Sequence, residues 1–125
     1  YNTKLTDRGG QALVEGLRCP ELHDLDLYLH DTSVGDNTAI ALGLSLRACN
    51  KLGKAVLSLY NTKLTDRGGQ ALVEGLRCPE LHDLDLYLHD TSVGDNTAIA
   101  LGLSLRACNK LGKAVLSLYN TKLTD

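Results

Sequence analysis

The stretch Leu22-His23-Asp24-Leu25-Asp26-Leu27-Tyr28-Leu29 decides the fold. Leucines at 25, 27 and 29 alternate with Asp26 and Tyr28, the period of a strand with one buried face. The same eight residues return as Leu81 to Leu88. A looser relative, Leu52-Gly53-Lys54-Ala55-Val56-Leu57-Ser58-Leu59, lies between them and returns as Leu111 to Leu118. Four strands therefore recur at intervals of 30, 29 and 30 residues, near 25–29, 55–59, 84–88 and 114–118.

Working outward, residues 60–118 copy residues 1–59 without a difference, and Tyr119-Asn-Thr-Lys-Leu-Thr-Asp125 begins a third copy. Each 59-residue copy splits again, because Val34 to Leu42 aligns with Leu64 to Leu72. The unit is thus 29–30 residues long, in two alternating forms. A period of this kind fixes the fold class: an α/β solenoid in which each strand is followed by a helix and each layer buries its apolar face only against its neighbours. Helices are expected near 7–18, 36–48, 66–77 and 95–107. Asp7, Asp36, Asp66 and Asp95 stand at their starts, where a carboxylate suits the exposed N–H groups. Pro20 and Pro79 stand just beyond two of their ends. At about 100° per residue, Ala39, Leu42 and Leu46 share an inward face, flanked by the small Ala41 and Gly43. Leu72 and Leu76 do the same in the other form, with Ala71 beside them.

The composition agrees. The chain holds no Phe, Trp or Met, and its only aromatics are five tyrosines. A core of medium aliphatics suits thin identical layers better than one globular centre. Fifteen acidic and thirteen basic residues are spread evenly, for a net charge of −2, which argues against nucleic acid as the main partner. No apolar run approaches the roughly 18–20 residues of a membrane span. The chain shows no signal-type segment and does not begin with Met, so it reads as a piece of something longer.

The run Cys19-Pro20-Glu21-Leu22-His23-Asp24-Leu25-Asp26-Leu27, followed by Val34-Gly35-Asp36 and Ala39…Leu42…Leu46, resembles leucine-rich repeats, in particular the ribonuclease-inhibitor-like type with its two alternating repeat forms. The resemblance covers the whole chain. Thr32 and Thr62 depart from it, standing where Asn or Cys is common. The resemblance implies a horseshoe segment with parallel strands on the concave face and helices on the convex face, serving as a protein-binding scaffold.

If Leu25, Leu27 and Leu29 face inward, the neighbours between them face outward. The outward rows then run Asp26, Val56, Asp85, Val115; Tyr28, Ser58, Tyr87, Ser117; and His30, Tyr60, His89, Tyr119. Tyrosine is a common interface anchor. Asp26, Tyr28, His30, Tyr60, Asp85, Tyr87 and His89 are therefore the candidate partner-binding strip; an ordinary solvated sheet face is the alternative. On the helices, Ile40 and Leu44, repeated as Ile99 and Leu103, point away from Leu42 and toward solvent. They are a candidate lateral contact with another chain, against the alternative that scattered exposed aliphatics are normal.

Little in the sequence suggests catalysis. Cys19, Cys49, Cys78 and Cys108 recur once per unit, without CxxC spacing, and read as buried free thiols at one structural position. Unpaired thiols fit an intracellular, reducing compartment. His30 and His89 are two strands apart, roughly 10 Å, too far to share an ion. Gly68-Gly69 lacks the Lys and Ser/Thr of a phosphate loop and relieves crowding at a helix start. No cofactor, metal or enzymatic activity is expected.

Residues 1–125 are expected to form a single array, uncapped at both ends, whose end layers continue into further repeats or stack end to end with copies of the same chain. A natural array and an engineered consensus array both fit. The cysteines and the exposed Ile40 and Leu44 favour the first. The expected function is a non-enzymatic interaction scaffold with a structural or adhesive role. The alternative is a recognition or regulatory module of inhibitor, receptor or GTPase-activator type.

Overall fold

The computed structural model describes residues 5–124. Its elements alternate in chain order: α1 (Asp7–Glu15), β1 (Asp24–Tyr28), α2 (Asp36–Arg47), β2 (Lys54–Ser58), α3 (Asp66–Glu74), β3 (Asp83–Tyr87), α4 (Asp95–Ala107) and β4 (Lys113–Ser117). The strands form one open parallel sheet in the order β1-β2-β3-β4. Equivalent residues stand side by side, with Leu27 beside Leu57 and Leu57 beside Leu86. Each helix packs on the next along the other side of the sheet, so the fold is a leucine-rich-repeat-type solenoid segment.

The leucine ladder forms the core. Leu57, Leu59, Leu84, Leu86 and Leu88 of the sheet meet Leu42, Leu46, Leu72 and Leu76 from the helix side, all buried. Full burial of each is worth roughly 1.5–3 kcal/mol. Between helices, small residues set the distance. A Cβ on Gly43 would lie 2.3 Å from the Ala71 carbonyl oxygen, and one on Gly75 would lie 2.3 Å from the Gly43 oxygen. Gly68 and Gly69 are pressed equally hard, against Asp36 and Thr97, which is the crowding the sequence implied.

Three details differ from expectation. The strands begin one residue earlier, because the Gly53 and Lys54 N–H groups both donate to the His23 oxygen and pairing therefore starts at Asp24. α1 and α3 stop at Glu15 and Glu74, where Gly16 and Gly75 cap them and a turn through Cys19 or Cys78 leads into the strand. The helix-start aspartates do not cap their own helices: Asp7, Asp36 and Asp66 each reach forward to the start of the next helix, and Asp95 reaches Thr124. Asp7 accepts from Gly35 N at 2.8 Å, Thr38 N at 2.9 Å and Thr38 Oγ1 at 2.6 Å, at the start of α2. Asp36 accepts from Thr65 N at 2.8 Å and Gly68 N at 3.1 Å, and Asp66 serves Gly94 and Thr97 in the same way. Burial pushes the Asp7 and Asp66 carboxyls up, but the hydrogen bonds from Thr38 and Gly35, or from Thr97 and Gly94, outweigh it and hold both below the ordinary 3.8.

The two end layers carry the same residues as the inner ones in a different setting. Leu13 is 54% exposed, whereas its copy Leu72 is fully buried. Leu116 is 39% exposed, whereas Leu57 is fully buried. Cys19 is exposed for the same reason, and this corrects its expected burial; Cys49, Cys78 and Cys108 are buried.

Candidate functional site

Strand alternation puts Asp26, Tyr28, Val56, Ser58, Asp85 and Tyr87 on the sheet face away from the helices. Just past the strands, His30, Tyr60, His89 and Tyr119 extend the face into a continuous aromatic stack. Neighbouring ring centroids are 4.4 Å apart at each step, with interplanar angles of 4°, 13° and 12°. That spacing is the strand spacing of about 4.8 Å tightened to ring contact. Serines on the neighbouring strand fix the histidine rings: His30 Nδ1 is 2.9 Å from Ser58 Oγ, and His89 Nδ1 is 2.8 Å from Ser117 Oγ. Tyr28 and Tyr87 stand edge-on to His30 and His89, with centroids 6.1 and 6.4 Å away. Tyr28 is 60% exposed. Together these residues line a shallow groove of about 530 Å³.

The stack is held from below by a row of turns. Asp31, Asn61, Asp90 and Asn120 all take positive φ, between 53° and 57°, a region Asp and Asn enter more readily than other side-chain-bearing residues. Their side chains link sideways, Asn61 Nδ2 to Asp31 Oδ1 at 2.7 Å and Asn120 Nδ2 to Asp90 Oδ1 at 2.6 Å. Thr32 and Thr62 turn their hydroxyls onto the Leu29 and Leu59 oxygens at 2.7 and 2.8 Å.

The acidic row differs between copies. Asp26 is exposed on the first strand, whereas Asp85 stands between Val56 and Val115. Its Oδ1 is buried with no hydrogen-bond partner among the described residues.

The structure brings the seven candidate strip residues onto one face and leaves the helix-side candidates apart from them. Leu44, Ile99 and Leu103 are exposed there, as expected. Ile40 is only half-exposed, because α3 packs beyond α2, whereas no helix among the described residues packs beyond α4 at Ile99. The outward rows put His30 beside Tyr60 and include Ser58 and Ser117, but they do not show the bonds from these serines to the histidines or the Asp/Asn turns. Their recurrence at one offset in successive units was the available signal.

The cysteines are hydrogen-bond donors here. Cys49 and Cys108 point Sγ at the Leu17 and Leu76 oxygens, each at 3.1 Å. Burial, with Cys108 and Cys49 nearby, pushes the Cys78 thiol up to about 11, so it is protonated at neutral pH. No group of three or more His, Cys, Asp or Glu among the described residues is placed to hold a metal ion. No helix among them is long and apolar enough to cross a membrane.

No family model matches the chain, and no curated protein does. Among solved structures, leiomodin-1 actin-binding site 2 is similar, at 19% identity and a TM-score of 0.69, over 95% of this chain and 70% of that one. At that identity the likeness is one of fold, and it agrees with the solenoid described above.

Proposed function

We propose that this chain is a protein-interaction scaffold of the leucine-rich-repeat class, with a structural or adhesive role, whose partner lies along the sheet face. The observation that carries the reading is the preformed stack His30-Tyr60-His89-Tyr119, edged by Tyr28 and Tyr87. Rigid aromatic area loses little entropy on binding, which is what makes such residues interface anchors. Asp26 adds an exposed acceptor at the edge of the strip. Alternating units with a full helix in each support the ribonuclease-inhibitor-like type. On the helix side, Leu44 and Leu103 are the pair a lateral contact would use. The uncapped array reading extends to the ends, where further repeats or copies of the same chain cover the apolar layers.

The test is a quantitative pull-down comparing the wild type with Tyr28→Ala/Tyr87→Ala and with Leu44→Glu/Leu103→Glu. Proteins bound through the strip are lost by the tyrosine pair and kept by the leucine pair. Retention by the tyrosine pair at the wild-type level rejects the surface. Because the similar solved structure is named for actin binding, co-sedimentation with actin filaments is a defined first partner assay.

A further inference from the structure

We infer that the sheet-face strip takes a basic, proline-rich segment in the polyproline II conformation, lying across the strands. This names a partner class for the surface proposed above and rests on that reading.

The strands are paired in parallel register with one another, so their backbone groups lie in the plane of the sheet. The face itself therefore offers side chains and no free ladder, and a partner cannot dock on it as a further strand. A polyproline II chain has no internal hydrogen bonds and keeps its backbone solvated, so it docks through its side-chain faces.

The groove runs across the strands. One wall is the stack His30-Tyr60-His89, in which each ring covers the face of the next. Tyr28 and Tyr87, turned 81° and 85° from the histidines they edge, keep ring faces outside the stack. Between them stands Ser58, short, buried and held by His30 at 2.9 Å, which leaves a recess flanked by two tyrosines. Aromatic-lined recesses of this kind suit proline rings, whose fixed φ lowers the entropy lost on docking.

The repeat sets the period. Tyr28 and Tyr87 are two strand steps apart, about 9.6 Å. One polyproline II turn, three residues at about 3.1 Å each, advances about 9.3 Å. Every third residue thus returns to the same place with a drift of about 0.3 Å per copy. Two turns of α-helix advance about 10.5 Å and drift about three times as far. An extended strand returns to one face about every 6.7 Å and falls out of step at once.

Charge selects among such segments. The row on one side of the tyrosines reads Asp26, Val56, Asp85, Val115, and the row beyond the stack reads Asp31, Asn61, Asp90, Asn120. Neither row, nor the two aromatic rows between them, holds a Lys or Arg. Asp26 is exposed, and Asp85 and Asp90 are half-buried. With three residues per turn, a chain that sets one face on the tyrosines turns its other two faces toward the acidic rows. Lys or Arg at those positions then meets carboxylates of opposite charge.

Fluorescence anisotropy of the 125-residue chain with a dye-labelled peptide of four Pro-Pro-Lys triplets tests this. The comparison peptides are Gly-Ser-Lys triplets, Pro-Pro-Glu triplets and a basic amphipathic helix of the same length. The Pro-Pro-Lys peptide is expected to bind at least about tenfold more tightly than any of the three. Tyr28→Ala/Tyr87→Ala should weaken it about tenfold, and Leu44→Glu/Leu103→Glu should leave it unchanged, with circular dichroism kept in both. Asp26→Asn, at an exposed carboxylate where folding is not at stake, should weaken it roughly threefold. Equal binding of the Gly-Ser-Lys or Pro-Pro-Glu peptide overturns the proposal. So does tighter binding of the helix, or Pro-Pro-Lys binding that survives the tyrosine pair. The pull-down described above separates the two levels. Partners lost by the tyrosine pair without Pro-Pro-Lys binding sink the polyproline segment and keep the strip, whereas partners retained by the tyrosine pair sink both.

Discussion

Leu72 and Leu13 occupy the same place in identical copies, and each is followed by the same layer, yet one is sealed and the other half-bare. The only difference is what precedes them: α2 and β2 in one case, no layer among the described residues in the other. Gly43 and Gly102 repeat the comparison at the opposite end, the first clamped against a carbonyl and the second facing open space. Burial in this molecule is thus a property of a junction and not of a unit. A repeat contributes stability by what it covers, the nearest-neighbour behaviour expected of a one-dimensional stack.

Substitutions at matched positions can break or sharpen this contrast. The largest effect belongs to the leucines. Leu72→Ala should lower the unfolding free energy by about 2–5 kcal/mol, as for other buried leucines. Leu13→Ala should stay within about 1 kcal/mol of the wild type, close to the surface range. Urea unfolding of the two variants measures the gap, and equal losses would mean that stacking is not what holds the layers. Next come the glycines, whose effects should have opposite signs. Gly43→Ala drives a methyl into the Ala71 carbonyl and should cost roughly 1–3 kcal/mol. Gly102→Ala removes a flexible residue from an open helix and should add up to about 1 kcal/mol in dilute solution.

The smallest contrast is between the aspartates. Asp66→Ala uncaps α4 and should cost about 0.5–2 kcal/mol. Asp95→Ala releases only Thr124 and should cost less than about 0.5 kcal/mol. The same carboxylates set an acid limit. Asp7 and Asp66 titrate below the ordinary 3.8 in the folded chain, so their contribution is complete above that value and is lost as pH falls through their folded values. Melting temperature should therefore drop below about pH 4, and less steeply in Asp66→Ala.

The register and the core could be read from the sequence because a two-residue period and a fixed repeat leave few alternatives. Leu27 beside Leu57 follows once the strands are aligned, and Ala39, Leu42 and Leu46 follow from helix angle. The cap partners could not be read that way. Asp7 stands at a helix start, and sequence proximity points to its own helix; its donors lie 28 to 31 positions away. The aromatic stack was half legible. Writing residues in rows showed that His30, Tyr60 and His89 are neighbours, but their ring planes depend on side-chain torsions, which hydrogen bonds to Ser58 and Ser117 decide. Thr38 and Ser45 were missed as core residues, since a buried hydroxyl is predicted only when its acceptor is known, here Asp7 and the Val14 oxygen at 2.8 Å.

The forward reach of the aspartates gives the chain an arrow. On a ribosome, Asp7 emerges before α2, Asp36 before α3 and Asp66 before α4. Each carboxylate is thus already waiting when the N–H groups it will satisfy leave the tunnel. Read in the reverse direction, every helix would have to form before its anchor existed. The array is wired to be made in the order in which it is translated, one layer priming the next.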